Sequence, residues 1–129
     1  MTRVLLVGLG GFVGSAARYL AGVGTARLWP AAGLQVGTLA VNIVGCLLIG
    51  LLTAFADARG IVSPEIRALV LIGVLGGFTT FSTFAYETLA LGRAGHTSAA
   101  VTNVILQVVG SLGAVWIGSI VGRALWAPM

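Results

Sequence analysis

The chain has 129 residues, of which 58% are hydrophobic and only 8% are charged, with a mean hydropathy of +1.09. Soluble domains carry about 25% charged residues, and a chain this small cannot hide so much apolar surface, so a water-soluble monomer is excluded. The formal charge is +4. All seven cationic side chains are arginines that stand singly near the ends of apolar stretches. This distribution is typical of membrane-interface anchors and argues against a nucleic-acid partner.

Four apolar stretches are each long enough to cross a hydrocarbon core about 30 Å thick, which takes roughly 20 residues of helix. They cover about Val4 to Val23, Leu34 to Ala56, Ile66 to Leu91 and Ser98 to Trp126, and the first connection holds Arg27, Trp29 and Pro30. The sequence therefore predicts an all-α integral membrane protein with four transmembrane helices. Residues 1–129 leave room for a single transmembrane domain and no other.

The arginines are divided almost evenly between the two ends of the predicted bundle. Four lie on one side (Arg3, Arg59, Arg67 and Arg123) and three on the other (Arg18, Arg27 and Arg93). Because orientation follows the arginine and lysine excess in short loops, this balance indicates either a weakly set orientation or insertion in both orientations. The second alternative would let two inverted copies pair, as inverted repeats do inside larger transporters.

Glycines recur at the spacing that lets transmembrane helices pack closely. Gly10 and Gly14 in the first span, and Gly118 and Gly122 in the fourth, are separated by three residues. Since lipid supplies no hydrophobic drive between helices, association depends on close backbone approach at small residues. We expect these glycines to lie at helix–helix contacts.

The third span contains an unusual segment at residues 73–84, Gly-Val-Leu-Gly-Gly-Phe-Thr-Thr-Phe-Ser-Thr-Phe. Gly76 and Gly77 are followed by the hydroxyl residues Thr79, Thr80, Ser82 and Thr83. Glycine weakens a helix, and hydroxyl side chains compete for its backbone hydrogen bonds, so a break in the helix is predicted here. Free backbone groups at this depth are tolerated only where they are buried or line a watery cavity, and such broken helices coordinate ions in transporters.

Phe81 and Phe84 are three residues apart and share a helix face. The edge of an aromatic ring is positive, so two edges beside a narrow path would favour an anion, which the hydroxyls of Thr80, Ser82 or Thr83 could also solvate. The alternative is a pair of rings that pack in the protein core or against lipid. The spacing alone leaves both open.

Polar side chains also occur inside the second and fourth spans. Thr38 precedes Asn42 by one turn, and Asn103, Gln107 and Ser111 recur every four residues on one face. Amides in a bilayer are costly without partners and commonly face the bundle interior or a water path. Hydrogen bonding between helices is the alternative role for each of them.

Few other side chains in the spans and loops are charged, able to titrate or reactive. Arg18 and Glu87 stand near span ends, where each is either a functional charge or an interface anchor, and His96 falls in a polar loop. Cys46 is the single cysteine, so an intrachain disulfide is impossible. The spans contain no catalytic triad, carboxylate pair or cluster of metal ligands, so an enzyme is not expected.

Residues 76–84, Gly-Gly-Phe-Thr-Thr-Phe-Ser-Thr-Phe, resemble the signature of the CrcB/Fluc fluoride channel family. Further matches are Gly10-Gly11-x-x-Gly14-x-x-x-Arg18-Tyr19, Gly37-Thr38-Leu39-x-Val41-Asn42-x-x-Gly45 and Tyr86-Glu87. They follow the order of that family across the first three spans.

The resemblance implies an antiparallel, dual-topology homodimer that exports toxic fluoride passively across a prokaryotic inner membrane, through two pores at the dimer interface. It implies that Phe81 and Phe84 present ring edges to the ion, that Asn42 donates to it, and that Ser82 and Thr83 line the same track. Many members of the family carry a tyrosine and a serine where this chain has Asn103 and Gln107, and both replacements retain donors.

The resemblance also implies a cofactor, a structural sodium ion at the dimer centre, held by backbone carbonyls of Gly76 and Thr79. Arg18 and Glu87 match positions at the pore vestibules. The predicted partners are therefore fluoride, a second copy of the chain and membrane lipid.

The sequence predicts a fluoride-selective channel that uses neither ATP nor covalent chemistry. A narrow path must replace the water around fluoride with donors that still release it. One alternative is a small multidrug-type proton-coupled exporter, which would need a carboxylate deep in a helix. Another is a non-transporting membrane scaffold, against which the polar stripe of the fourth span argues.

Overall fold

The structure is a computed structural model that describes residues 1–28, 33–60 and 62–126. Helix α1 spans Thr2–Leu28 and α2 spans Gly33–Arg59. The third span consists of α3, residues 64–78, and α4, Phe81–Arg93. Helix α5 spans Thr97–Trp126, and the described ranges contain no β-strand. The predicted all-α chain with four helices long enough to cross a membrane is confirmed for these ranges.

The helices run beyond the predicted apolar stretches. Helix α1 continues past Val23 to Leu28, which places Arg27 inside the helix, and α2 continues past Ala56 to Arg59. Hydropathy marks only the part of a helix that faces hydrocarbon, whereas backbone hydrogen bonding continues through the interface. Trp29 and Pro30, predicted in the first connection, lie outside the described residues.

The second connection is set by local backbone chemistry. Gly60 has a φ of +61°, which ends α2 in the left-handed region that favours glycine. The hydroxyl of Ser63 then accepts from the N–H of Ile66, and Pro64 occupies the first turn of α3, where its missing N–H costs nothing.

Two helix pairs make the bundle, α1 with α3 and α2 with α5. A Cβ added at Gly14 would collide with the carbonyl oxygen of Val74, and one added at Gly118 would collide with that of Leu47. Gly10 lies equally close to the backbone of α3. The expectation that these glycines mediate close helix packing is confirmed.

The backbone changes character along the third span. Ala68–Leu75 is π-helical, and Gly76–Phe78 returns to α-helix. Thr79 and Thr80 are extended, with φ/ψ of −85°/157° and −151°/121°. The hydroxyl of Thr80 accepts from the N–H of Thr83 and so caps the start of α4.

Several polar side chains lie inside the bundle, and many large apolar side chains lie on its outer surface. Large apolar side chains on α5, such as Val109, Leu112 and Trp116, are more than half exposed. Among the residues that the structure describes, the buried polar ones are Thr38, Asn42, Thr80, Glu87, Asn103 and Gln107. This distribution suits a protein whose outer solvent is lipid.

Candidate functional site

The site is built around the extended backbone at Thr80, whose peptide groups bond to the side chain of Asn42. The N–H of Thr80 donates to Asn42 Oδ1 at 2.8 Å, and Asn42 Nδ2 donates to the carbonyl oxygen of Thr80 at 3.0 Å. Both residues are buried. A single amide thus supplies the partners that a continuous helix would have given this peptide.

Asn42 also reaches across to α5. Its Nδ2 donates to Gln107 Oε1 at 2.9 Å, so both hydrogens of the Asn42 amide have acceptors on the protein. Gln107 is only 3% exposed, and its Nε2 is buried without a hydrogen-bond partner in the described part of the chain. The predicted donation from Asn42 to an ion stays a prediction.

Beside this network lies a cavity of about 330 Å³, here called the ring cavity. Its lining includes Asn42, Cys46, Thr79, Thr80, Phe81, Phe84, Gln107 and Ser111. The centroids of the two phenyl rings are 5.2 Å apart and their planes meet at 75°, so an edge of one ring points toward the other. Phe84 is buried, whereas Phe81 is 76% exposed in the single chain.

A second cavity of about 440 Å³, here called the charged cavity, lies on the other side of Thr80. Arg18, Thr38, Thr83 and Glu87 are among its lining residues, and Thr80 lines both cavities. The structure therefore brings Arg18 and Glu87 to one space, as their predicted shared role requires.

Glu87 is buried within the bundle, where its carboxylate contacts a side chain of α2. Its Oε1 accepts from the hydroxyl of Thr38 at 2.7 Å. Its Oε2 is buried and has no hydrogen-bond partner among the described residues. Helices α2 and α4 are in contact, and the Glu87 side chain lies between them.

The predicted polar stripe of α5 is divided between two places. Gln107 and Ser111 line the ring cavity, but Asn103 lines a separate cavity near Ser98 and Thr102. Asn103 Nδ2 donates to the Thr88 hydroxyl at 2.9 Å. Eight residues of helix rise about 12 Å, which is longer than one small cavity, so one face serves two environments.

The remaining predicted residues cluster at the start of α4 and the end of α3. Thr80 Oγ1 lies 3.3 Å from Ser82 Oγ and 3.0 Å from Thr83 Oγ1. Ser82 is exposed and lines neither the ring cavity nor the charged cavity.

The carbonyl of Gly76 has lost its usual helical partner. In a continuous α-helix the N–H of Thr80 would donate to it, whereas here that N–H donates to Asn42. The N–H and hydroxyl of Thr79 both donate to the carbonyl of Leu75. Within the described ranges no three His, Cys, Asp or Glu residues are placed to hold a metal.

Two residues of the site, Cys46 and Thr88, were not among those predicted for it, and Thr80, predicted as a hydroxyl donor, also takes part through its backbone. Cys46 follows Asn42 by one turn on α2, a spacing that could have indicated its place in the ring cavity. Thr80 acts through its backbone, and Thr88 through a hydroxyl that links Asn103 to the carbonyl of Phe84. No sequence pattern predicts the role of the Thr80 backbone or that of the Thr88 hydroxyl.

Membrane-length helices, an apolar outer surface and buried polar side chains define a multi-pass integral membrane protein. Residues 5–119 match the family described as CrcB-like protein, Camphor Resistance (CrcB), and the chain belongs to this family. The resemblance found in residues 76–84 is thereby confirmed.

Curated relatives cover nearly the whole chain, and three of them are each named Fluoride-specific ion channel FluC. The relative from Paracoccus denitrificans is 48% identical over 123 residues, which is 95% of this chain and 96% of the relative. That from Chlorobaculum tepidum is 43% identical, covering 98% of each chain. That from Methylobacillus flagellatus is 42% identical, covering 92% of each.

Proposed function

We propose that this chain is a fluoride-specific ion channel, which lets fluoride leave a prokaryotic cell down its electrochemical gradient and so protects the cell from fluoride toxicity. The names of its near-full-length relatives support an ion channel over an enzyme. The observation that carries the proposal is the ring cavity, which is lined by two phenyl rings, two amide side chains and hydroxyl side chains.

The ring cavity suits a small anion that must shed water. Amide and hydroxyl donors and positive ring edges replace hydration without a fixed cation, which would hold the ion too tightly for it to leave. The lining of the ring cavity includes no arginine, histidine, aspartate or glutamate. Fluoride accepts stronger hydrogen bonds than chloride, so neutral donors in a confined space favour it.

Thr80 connects the ring cavity to the charged cavity, which gives the proposed path two stages. Arg18 in the charged cavity would attract the anion at the vestibule, and Glu87 would limit how tightly it is held there. Thr83 and Ser111 extend the track on either side of Thr80.

The working unit of the proposal is an antiparallel, dual-topology homodimer in which the third span acts as a broken helix. The even division of arginines supports insertion in both orientations. In a single chain Phe81 is 76% exposed, so a second copy is needed to enclose its ring beside the path. The extended residues Thr79 and Thr80 support the broken helix.

A structural sodium ion at the dimer centre is part of the same proposal. Na⁺ is a hard cation that takes oxygen ligands, and broken transmembrane helices offer it backbone carbonyls. The Gly76 carbonyl, freed because the N–H of Thr80 turns to Asn42, fits this role. Thr79 would supply a second carbonyl from each copy.

The direct test is fluoride efflux from liposomes that contain the purified protein, with valinomycin to carry the compensating potassium. We expect fast fluoride efflux and far slower chloride efflux. Phe81→Ile removes the ring edge and should slow fluoride efflux at least about tenfold. Phe12→Ile is the matched control, because Phe12 is also 76% exposed and lines none of the cavities described above.

The same liposomes separate the alternatives. A proton-coupled multidrug exporter would move a cationic dye when a pH gradient is imposed, and the buried carboxylate of Glu87 makes this control necessary. A scaffold would move neither ion nor dye. Absence of fluoride efflux from the folded wild-type protein contradicts the proposal.

A further inference from the structure

Another cavity, here called the α2–α5 cavity, lies between these two helices at the end of the bundle where both of them finish. Its volume is about 720 Å³, within the range of about 300–1,000 Å³ that is typical of ligand sites. Gly50 and Val115 line its deeper part, and Asp57 and Arg123 line the part near the helix ends. From Gly50 to Asp57 the helix rises about 10 Å, so the cavity extends from the membrane interface into the hydrocarbon layer.

The guanidinium of Arg123 turns back along α5 at this cavity. Its Nε donates to the carbonyl oxygen of Ser119 at 3.2 Å, and its Nη2 donates to the Ser119 hydroxyl at 3.2 Å. Ser119 lies one turn nearer the membrane centre and lines the same cavity. Among the described residues, Nη1 of Arg123 has no hydrogen-bond partner. Because an interface arginine ordinarily extends to water, this inward turn indicates an acceptor at the cavity mouth.

Asp57 places the opposite charge at the same mouth. Its Oδ1 accepts from Arg67 Nη2 at 3.2 Å, and its Oδ2 accepts from no residue in the described part of the chain. Helices α2 and α5 both end here, and the last carbonyls of a helix attract donors and positive charge. The mouth therefore offers a donor for an anionic group and acceptors for a cationic one.

A second, inverted copy of the chain does not supply the acceptor for Arg123. The chain has three carboxylate side chains, Asp57, Glu65 and Glu87. Glu87 is buried and bonded to Thr38, and the other two lie at the same end of the bundle as Arg123. Antiparallel pairing would bring the opposite end beside Arg123, and that end carries arginines without an exposed carboxylate side chain. The occupant that matches both charges at the mouth is a zwitterionic lipid.

We propose that the α2–α5 cavity binds phosphatidylethanolamine from the membrane. The lipid phosphate accepts from Arg123, and the primary ammonium donates to Asp57. The first part of an acyl chain lies along Gly50 and Val115. Phosphatidylcholine has the same phosphate but no N–H group, and phosphatidylglycerol has no ammonium, so both fit less well. Binding of this lipid holds or fails independently of fluoride conduction.

Native mass spectrometry of the purified protein in detergent tests the site with the three lipids, all carrying the same acyl chains. We expect one phosphatidylethanolamine per chain, with at least about fivefold lower occupancy by the other two. Arg123→Gln should lower phosphatidylethanolamine occupancy at least about fivefold. Arg27→Gln is the matched control, because Arg27 is exposed at the end of α1 and does not line this cavity. Equal losses in the two variants overturn the proposal.

The headgroup assignment is tested at Asp57. Asp57→Asn should remove the preference for phosphatidylethanolamine over phosphatidylcholine, because the ammonium loses its anionic partner. Glu65→Gln is the control, since Glu65 also forms an exposed ion pair with an arginine but does not line the cavity. It should keep the preference. Equal binding of all three lipids by the wild type contradicts the proposal.

A bulky side chain at the mouth separates a lipid from a second copy of the chain. Ala58 is exposed and lines the cavity, so Ala58→Phe should lower phosphatidylethanolamine occupancy at least about fivefold and leave the fraction of dimer unchanged. Ala94→Phe, at an exposed residue outside the cavity, should change neither quantity. Loss of dimer with unchanged lipid occupancy in Ala58→Phe would mean that a second copy covers the cavity, and it overturns the proposal.

Discussion

Individual polar side chains in this protein form hydrogen bonds with buried groups of neighbouring segments. Asn42 takes the place of the helical partners of Thr80, and Thr38 donates to a carboxylate in the bundle interior. Removing the hydrogen-bond partner of a buried polar group lowers the stability of the folded protein, because water cannot reach the group to replace that partner. Conservative substitutions at these residues therefore have large expected effects.

Asn42→Asp should abolish most fluoride conduction. The substitution replaces the donor Nδ2 by an oxygen that would face the carbonyl of Thr80 and Oε1 of Gln107, so two hydrogen bonds become contacts between acceptors. Each lost bond costs about 1–3 kcal/mol, so fluoride efflux from liposomes should fall at least about tenfold. Efflux within twofold of wild type would show that this network does not support the path.

Thr38→Val should destabilise the folded protein by about 1–3 kcal/mol, because it removes the hydroxyl that donates to buried Glu87. Unfolding in a detergent titration followed by circular dichroism measures the change. Thr53→Val is the control, since the Thr53 hydroxyl bonds back to the carbonyl of Ile49 in its own helix, and we expect about 0.5 kcal/mol or less. Equal losses at the two sites would argue against a structural role for the Thr38–Glu87 bond.

At the scale of helices, the bundle depends on backbone contacts that no side chain can enter. A Cβ at Gly118 would strike the carbonyl oxygen of Leu47, whereas nothing lies within 4 Å of a Cβ at Gly113 on the same helix. One face of α5 therefore has no room for a larger side chain, whereas another face has room for one. The difference between the two glycines provides a test of packing within a single element.

Gly118→Leu should push α2 away from α5 and lower the free energy of unfolding by about 1–3 kcal/mol, the range seen when packed sites are overfilled. Gly113→Leu should cost far less, because its side chain enters open space and leucine favours helix over glycine. Unfolding in a detergent titration gives both values. Equal destabilisation would mean that the close contact at Gly118 is not what holds the pair together.

The sequence predicted the helices better than it predicted the cavities, for a physical reason. About 20 apolar residues must cross the hydrocarbon, so hydropathy alone locates the spans. The stripe of Asn103, Gln107 and Ser111 correctly indicated an inward face of α5, but Asn103 meets Thr88 in a different cavity. The neighbour that each turn of α5 contacts depends on how α4 packs against it. That packing cannot be predicted from the sequence of α5 alone.

For the whole molecule, charge is nearly balanced between the two ends of the bundle. Two ion pairs, Arg3–Glu65 at 3.1 Å and Arg67–Asp57 at 3.2 Å, lie at the end that carries four arginines. Both are partly exposed, and such pairs contribute little to stability. Their arginines matter more for orientation, because the cationic excess in short loops decides which end stays in the cytoplasm.

The proposed antiparallel dimer makes a prediction about oppositely biased chains. Arg27→Gln with Arg93→Gln changes the balance from four against three to four against one, and replacing Arg3, Arg59 and Arg123 by Gln changes it to one against three. Each variant should insert mainly one way and, expressed alone, lack the partner it needs. Expressed together in a fluoride-sensitive bacterium, the two should restore growth on fluoride, because each supplies the inverted copy for the other. Full resistance from either variant alone, with its orientation shown to be fixed by thiol labelling from one side, would exclude antiparallel pairing.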